Sequence, residues 1–214
     1  MPGPQPYQAV WEALSKEPGI GLTIIGLDGK ILYTNEEAAR LYSHQDAASV
    51  VGRALDEIVP AEVAQQTLER GARCIHERRS FSSRIVWGGR QIINSYHPIK
   101  TDDEADPDHF FIISRLCSGV QAAQTDLVSE YIDLGELSGL TTRELEVLAL
   151  IGQGLRIAEI AKILHRSERT IEKHRESIGR KLHQSDRVQL ALLAARAGLR
   201  VEDAKLKRIQ SESE

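Results

Sequence analysis

Four charged side chains near residue 170 are the residues of this sequence best suited to chemistry with another molecule. They are Arg169, Glu172, Lys173 and Glu176. Ile171, Ile178 and Leu182 recur at helical spacing on the other side of the same segment, so the charged side chains should project from a helix held by its apolar face. Long polar side chains on such a short helix can read base edges in a DNA major groove. The alternative is an ordinary helical bundle with a solvated charged face.

A second set of polar side chains in this region could bind phosphate groups of a nucleic-acid backbone. The candidates are Ser167, Thr170, Lys181 and Arg187. His174 is expected to pack or orient neighbours rather than to specify a base. Residues 137–200 contain twelve Lys and Arg against seven Asp and Glu, whereas the whole chain has a net charge of −4. The positive charge of residues 137–200 would attract phosphate groups to this segment alone. An excess of this size is also common in small domains that bind no nucleic acid.

Three short helices in a row are predicted to position these side chains. Thr141 and Glu144 form the T-x-x-E pattern of a capping box, which begins the first helix. Gly154 suits the end of that helix because glycine tolerates the left-handed conformation. A second helix around Ile160–Leu164 follows, and Ser167 is a good N-cap for the third.

The motif residues of this segment resemble the LuxR-type (GerE-like) helix-turn-helix. The matching residues are Thr141, Arg143, Glu144, Glu146, Val147, Leu148, Gly154, Glu159, Ile160, Ala161, Ser167, Thr170, Ile171, His174, Ile178, Lys181 and Leu182. Arg156-Ile157-Ala158 stands where the family has Ser-Asn-Lys, a departure that affects a cap and a phosphate contact rather than the fold. Region four of sigma factors shares the first two helices, but His174 and the residues after it favour the LuxR type. The resemblance implies double-stranded DNA as a partner.

A fourth helix is predicted after the cap Ser185-Asp186-Arg187. Its apolar residues cover more than one side: Val188, Leu190, Ala191, Leu193, Ala194 and Ala195. One side must pack on the preceding helices, and the surplus side suggests a dimer contact, which is the role of the fourth helix in LuxR-type domains. The alternative is that the small alanines merely allow tight packing within the domain.

The first half of the chain has the pattern of an antiparallel sheet with flanking helices. Predicted strands and helices are Leu22–Ile25, Ile31–Tyr33, a helix capped by Asn35, helical pieces at 46–51 and 55–58, a long helix at 61–77, a hairpin at 81–93 and a last strand at Phe110–Ser114. The order of these elements, and the segment Gly26–Ala39 in particular, is similar to a PAS domain. That resemblance implies an α+β sensor and dimerisation module, with a pocket between the sheet and the long helix in many members.

No cofactor is predicted, and the ligand of the PAS-like domain stays unknown. His76 lies where haem-binding PAS domains place an axial ligand, but its polar neighbours favour a surface histidine. Cys74 lies in the wrong element for a flavin photosensor. Tyr96, His97 and Trp87 either line a cavity or simply pack.

The sequence predicts a division into 7–118 for the PAS-like domain, 119–136 for a linker helix, 137–200 for the helix-turn-helix domain (the motif itself at about 156–175) and 201–214 for a charged, fraying tail. Val120, Leu127 and Leu134 recur at seven residues, which suggests a dimeric signalling helix, or else a helix lying on its own domain. An amphipathic helix over Tyr7–Leu14 precedes the sheet.

Together these features predict a sequence-specific transcription regulator that works as a homodimer in the cytoplasm. Hydrophobic content of 41% and charged content of 27% are ordinary for a globular protein. No apolar run is long enough for a membrane span, and no secretory signal is apparent. No nucleophile–base set, phosphate-binding glycine loop or metal-ligand cluster suggests an enzyme. The alternative is a PAS-based protein–protein signalling adaptor with secondary DNA binding, favoured by the carboxylates of Glu172 and Glu176.

Overall fold

The computed structural model describes residues 6–42, 46–100, 108–117, 125–184 and 186–209. These residues form two compact units. The first unit contains the described residues up to Arg84, from Ile93 to Leu116 and from Thr125 to Val128. The second contains Ile85–Ile92, Cys117 and the described residues from Ser129 onward. In the described part of the chain, no helix has the length and apolar character required to cross a lipid bilayer.

The first unit is an antiparallel sheet with flanking helices. Its elements are α1 (Pro6–Ser15), β1 (Ile20–Gly26), β2 (Ile31–Thr34), α2 (Glu36–Tyr42), α3 (Ala47–Val50), a 3₁₀ turn (Leu55–Glu57), α4 (Ala61–Glu77), β3 (Phe81–Trp87), β4 (Arg90–Ile99) and β5 (His109–Leu116). The strands lie in the order β2-β1-β5-β4-β3, and β1 pairs antiparallel with both β2 and β5. The α+β, PAS-like fold predicted from the sequence is confirmed.

Helices cover both faces of this sheet because side chains alternate along each strand. Phe110 of β5 is fully buried and lies against Gly71 of α4, where an added Cβ would overlap the phenyl ring. Phe111 points to the opposite face and packs against Trp11 of α1, with ring centroids 5.8 Å apart. Trp11 also contacts Tyr33, at 5.3 Å. The predicted N-terminal helix therefore packs on the face of the sheet opposite α4.

A buried asparagine ties the first hairpin to the first helix that follows it. The side-chain oxygen of Asn35 accepts hydrogen bonds from the backbone N–H groups of Leu22 (2.9 Å) and Ala38 (3.0 Å). Its side-chain NH₂ donates to the carbonyls of Ile20 (2.8 Å) and Ser15 (3.1 Å). The cap predicted at this position is confirmed, and the same amide also holds the end of α1 and the start of β1.

The second unit is built around helices. Its elements, besides the ends of β3 and β4, are β6 (Leu127–Asp133, in this unit from Ser129), a 3₁₀ turn (Gly135–Leu137), α5 (Thr142–Gly152), α6 (Ile157–Ile163), α7 (Glu168–Lys181), α8 (Arg187–Ala197), a 3₁₀ turn (Val201–Lys205) and β7 (Lys207–Ile209). Leu148, Ile160, Ile178 and Leu190 are each fully buried in one apolar cluster. The predicted succession of four helices is confirmed.

The predicted linker helix over 119–136 is wrong where the structure describes it. Leu127–Asp133 is a strand, in which Val128 is exposed, Ser129 is buried and Glu130 is exposed again. That two-residue alternation is typical of a half-buried strand and outweighs the seven-residue recurrence. Leu134 is 2% exposed and belongs to the core of the second unit, so it forms no dimer seam. Val120 lies outside the described residues.

The predicted fraying tail is also wrong, up to Ile209. β7 pairs parallel with β6, with Tyr131 opposite Lys207 and Asp133 opposite Ile209. Arg208 donates from its guanidinium to the carbonyl of Leu140 at 2.7 Å. Lys207–Ile209 is too short and too charged for its sequence to predict a strand. The strand is stabilised by its backbone pairing with β6, which is not visible in the sequence of this segment. The remaining five residues lie outside the described chain.

A buried carboxylate fastens the turn between β3 and β4 to the end of β6. Asp133 accepts hydrogen bonds on its two carboxylate oxygens from the backbone N–H groups of Gly88 and Gly135, both at 3.0 Å. Its carbonyl accepts from Gly89 N–H, also at 3.0 Å. A Cβ at Gly89 would lie 2.9 Å from the Leu134 carbonyl oxygen, so the close approach depends on glycine.

Candidate nucleic-acid interface

α7 is held in place by its apolar side. Ile171 and Ile178 are fully buried in the core, and the helix begins at the predicted N-cap Ser167, whose hydroxyl accepts a hydrogen bond from Thr170 N–H at 3.2 Å. His174 and Leu182 are half-buried beside them. Since one side of α7 is anchored along its length, its opposite side has a fixed direction relative to α5 and α6.

A buried glutamate joins α5 to α7. Glu144, 4% exposed, accepts hydrogen bonds from Thr141 N–H (2.7 Å) and the Thr141 hydroxyl (2.9 Å), which confirms the predicted capping box. It also accepts from the Ser177 hydroxyl and the Lys181 ammonium of α7, both at 2.7 Å. Burial acts to raise the pKa of Glu144, but these donors outweigh it and lower the pKa to about 2. The carboxylate therefore stays charged at neutral pH and fixes the position of α7.

The side chains predicted to read bases share the free side of α7. Arg169, Lys173 and Glu176 are exposed. Glu172 is half-exposed and forms an ion pair with Arg175, whose Nε lies 2.8 Å from the Glu172 carboxylate. This pairing partly neutralises one of the two carboxylates that would otherwise repel phosphate groups.

The four predicted phosphate contacts differ in how far they are already engaged. The Ser167 and Thr170 hydroxyls lie 2.8 Å apart at the start of α7. Lys181 donates to Glu144 and, at 3.0 Å, to the Gly139 carbonyl. Arg187 donates to the Leu155 carbonyl at 2.9 Å. Lys181 and Arg187 thus have a structural role that the sequence did not reveal, because their partners are distant in the chain.

The second half of α7 and the residues just after it line an open depression of about 530 Å³. It is lined by Arg175, Glu176, Gly179, Arg180 and His183. Arg175 and His183 were not among the predicted site residues. Arg175 lies three residues from Glu172 and four from Gly179, and His183 lies three from Arg180 and seven from Glu176. That spacing was the available signal, since residues three, four and seven apart share a side of a helix.

α8 has a buried and an exposed apolar side, but Leu192 on the exposed side was not among the predicted residues. Leu190 and Ala194 are buried in the core, whereas Val188 and Leu192 are 62% and 53% exposed. Asp186 caps the helix by accepting from Val188 N–H at 3.0 Å, and Ser185 lies outside the described residues. The exposed pair leaves an apolar strip on the surface of the second unit.

The candidate ligand residues of the PAS-like domain do not converge. His76 is exposed near the end of α4. Cys74 is buried in the same helix, and burial, with a smaller contribution from the Glu77 charge, raises the pKa of its thiol to about 11. Tyr96 is fully buried and stacks on Phe81 at 5.1 Å, while Trp87 is buried in the second unit. His97 lies on the other face of β4, with Nδ1 2.9 Å from the Ser80 hydroxyl.

Two family models match the chain, one in each half. Residues 19–117 match the model of the PAS fold. Residues 138–194 match the model of bacterial regulatory proteins of the luxR family. The second match covers α5, α6, α7 and most of α8, and therefore includes the surface described above.

Two curated proteins are similar to parts of the chain. The transcriptional regulatory protein LnrK of Bacillus subtilis is 42% identical over 74 residues, which are 35% of this chain and 34% of LnrK. YgeK of Escherichia coli, an uncharacterised response regulatory protein, is 32% identical over 94 residues, which are 41% of this chain and 64% of YgeK. The chain thus spans about a third of the first relative and just under two thirds of the second.

One solved structure resembles nearly the whole chain in fold. VqmA of Vibrio cholerae, in a complex with ligand and DNA, is 18% identical, with a TM-score of 0.57 over 97% of this chain and 96% of VqmA. At that identity the likeness concerns the fold alone. The chain therefore joins a domain that matches the PAS fold to a domain that matches the luxR family of bacterial regulatory proteins.

Proposed function

We propose that this protein is a sequence-specific transcription regulator that binds duplex DNA through α7, under the control of its PAS domain. The observation that carries this proposal is the geometry of α7. Ile171 and Ile178 are both 0% exposed, while Arg169, Lys173 and Glu176 project from the other side. A helix anchored in this way can enter a major groove without losing its own packing.

Phosphate contacts would position this helix on the duplex. The hydroxyls of Ser167 and Thr170 lie at the start of α7, where the helix dipole also favours a negative phosphate. Lys181 at the end of α7 and Arg187 at the start of α8 have donors left over from their internal hydrogen bonds, since an ammonium has three N–H groups and a guanidinium has five. We expect these four groups to contribute affinity rather than sequence preference.

We further propose that the working unit is a homodimer in which α8 supplies a contact. Val188 and Leu192 are exposed apolar residues one helical turn apart on α8, and exposed apolar patches are typical of interaction surfaces. A single module of this size reads only a few base pairs, so two joined modules are needed to find one site among many competitors. VqmA is bound to a ligand as well as to DNA in its complex, which supports a small-molecule signal for the PAS domain here.

Duplex binding by the full-length protein tests the function. Lys173→Ala should weaken binding to the preferred site by roughly 1–3 kcal/mol and leave binding to random duplex nearly unchanged, because a base contact carries sequence information. Affinity of the unmodified protein should fall steeply with salt as counterions are released. Fluorescence anisotropy across a salt series measures both effects.

Lys205→Ala is the matched control, since Lys205 is exposed in the same unit but lies outside α7. It should leave both affinities unchanged. Equal loss on preferred and random duplexes for Lys173→Ala would contradict the base-reading assignment. Binding that is absent on every duplex, together with capture of a partner protein by the PAS domain, would support the adaptor alternative instead.

The dimer has its own test. Replacing Val188 and Leu192 with Glu should weaken binding to an inverted repeat more than binding to a single half-site, with half-sites near one helical turn apart. Replacing Ile163, an exposed apolar residue of α6, with Glu is the control for adding a carboxylate to this unit. A protein that sediments as a monomer both free and on its operator would contradict the dimer.

A further inference from the structure

The free side of α7 is composed almost entirely of charged groups. The sequence of the helix, ERTIEKHRESIGRK, contains neither asparagine nor glutamine. Its two isoleucines, Ile171 and Ile178, are both fully buried. The remaining methyl group belongs to Thr170, whose hydroxyl is bound to Ser167 at the start of the helix. The groups that α7 can offer to a groove are therefore cationic donors and carboxylate acceptors.

These groups complement one type of base pair better than the other. Guanine presents two acceptors, N7 and O6, to the major groove, and arginine or lysine binds them. Cytosine presents an N4 amino donor, which a carboxylate accepts. Adenine is read by asparagine or glutamine, and the thymine methyl by apolar side chains. α7 exposes neither an amide side chain nor an aliphatic one, so its chemistry matches G·C pairs.

The positions of the charges suggest how one such pair would be read. Lys173 and Glu176 are three residues apart and both exposed, so a donor and an acceptor lie side by side on the helix. This arrangement is the complement of a guanine and its paired cytosine. Glu172 is held by Arg175 at 2.8 Å, which leaves Glu176 as the carboxylate better placed to accept from cytosine.

A second guanine is expected near the first. Arg169 lies four residues before Lys173, about 6 Å along the helix axis. Base pairs are spaced at roughly 3.4 Å, so a helix lying along the groove would place Arg169 one or two base pairs from the pair read by Lys173.

We propose that α7 reads a G·C base pair through Lys173 and Glu176 together, with Arg169 on a second guanine, so that the operator half-site is G·C-rich beneath this helix. This inference rests on the proposed DNA binding and adds the chemical class of the sequence read. Lys173 and Arg169 supply donors to guanine, and Glu176 supplies the acceptor to cytosine.

Selection from a random duplex library with the full-length protein tests the inference. The enriched half-site should contain two G·C pairs one or two base pairs apart, and methylation of these guanines at N7 should block binding. Replacing either guanine with 7-deazaguanine should weaken binding roughly 5- to 150-fold. An enriched motif with A·T pairs at the positions protected by α7 would overturn the inference and leave the proposed function intact. Failure to enrich any motif would overturn the proposed function itself.

A single substitution sharpens the test. Glu176→Gln should shift the preferred base from cytosine toward adenine at one position per half-site, because glutamine binds adenine N6 and N7. Glu168→Gln, at an exposed position in the first turn of α7, is the matched control and should leave the preference unchanged. An unchanged cytosine preference in Glu176→Gln, with affinity retained, would remove Glu176 from the proposed pair.

Discussion

Each unit of this molecule uses one buried polar side chain to hold a helix start, but the two side chains differ in charge. In the first unit Asn35 makes four hydrogen bonds, all to backbone groups, which lie at the end of α1, in β1 and in α2. In the second unit Glu144 binds Thr141 locally and then Ser177 and Lys181 of α7. Asn35 joins three elements through their backbone groups, whereas Glu144 joins α5 to α7 through side chains.

The difference in charge has a physical consequence. A neutral amide inside a protein needs every donor and acceptor satisfied, but its hydrogen bonds do not depend on pH. A buried carboxylate is stable as an anion only while cationic and hydroxyl donors surround it, so the contact depends on pH. The unit that carries α7 should therefore lose stability in acid, whereas the hydrogen bonds of Asn35 should not respond.

The two tryptophans of the chain can report the two units separately. Trp11 packs on Tyr33 and Phe111 in the first unit, and Trp87 is 2% exposed in the second. The full-length variants Trp87→Phe and Trp11→Phe each retain one reporter. Their fluorescence during denaturant unfolding measures the free energy of unfolding of one unit at a time.

The largest expected effect is that of Asn35→Ala on the first unit. The substitution leaves the buried N–H groups of Leu22 and Ala38 without a partner, and we expect a loss of about 4 kcal/mol in the free energy of unfolding. Trp11 fluorescence in the Trp87→Phe background measures it. Asp46→Ala is the control, because Asp46 caps an exposed helix with a hydrogen bond to Ser49 and should cost only about 1 kcal/mol. Equal losses in the two variants would contradict the special role of Asn35.

Acid should lower the free energy of unfolding of the second unit by somewhat less than Asn35→Ala lowers that of the first. The pKa of Glu144 is lowered from its ordinary value of 4.5 to about 2, so the stabilisation is complete above pH 4.5 and is lost as the pH falls toward 2. By linkage the loss is between about 2 and 3 kcal/mol. Trp87 fluorescence in the Trp11→Phe background, recorded from pH 6 to pH 2, follows it. If the free energy of unfolding of Glu144→Gln fell equally between pH 6 and pH 2, the acid sensitivity would belong to other carboxylates.

At neutral pH, Glu144→Gln should lower the free energy of unfolding of the second unit by about 1.5 kcal/mol. Glutamine keeps the size and an acceptor for Thr141, but the Lys181 ammonium loses its anionic partner. Glu159→Gln is the matched control, since Glu159 accepts from Arg156 N–H in an exposed capping box. Chemical denaturation of both variants gives the comparison, and a control loss as large as that of Glu144→Gln would refute the role of burial.

The smallest effect is expected from Lys181→Met, which should lower the free energy of unfolding of the second unit by about 1 kcal/mol at neutral pH. The Lys181 side chain is 35% exposed, so solvent screens its ion pair with Glu144, and the carboxylate keeps its hydrogen bonds to Thr141 and Ser177. Lys207→Met is the control, because Lys207 and Glu130 are 68% exposed and 3.7 Å apart. A Lys181→Met protein as stable as the control would show that the hydroxyl donors suffice.

The elements that sequence alone predicted are those whose signals are local. The hairpin before Asn35, the capping box of Thr141 and Glu144, and the N-cap Ser167 all satisfy their own backbone groups within a few residues. α7 was predicted for the same reason, because Ile171 and Ile178 show its period in the sequence. Motif residues then indicated the fold of each half.

The linker and the tail were predicted wrongly because their structure depends on partners far away in the chain. Leu127–Asp133 contains leucine, valine and tyrosine at spacings that suit a helix or a strand, and pairing decided between them. Lys207–Ile209 forms a strand only because β6 lies beside it. Short segments without caps have little preference of their own, so the neighbouring backbone determines them.

The sequence by itself determined which residues form α7 and which of its side chains are charged, since helical period and residue type are local properties. Only the tertiary structure decided what those charges contact. Lys181 and Arg187 donate to groups about thirty to forty residues earlier in the chain. Such contacts depend on distances across packed helices, which residue spacing along one helix does not contain.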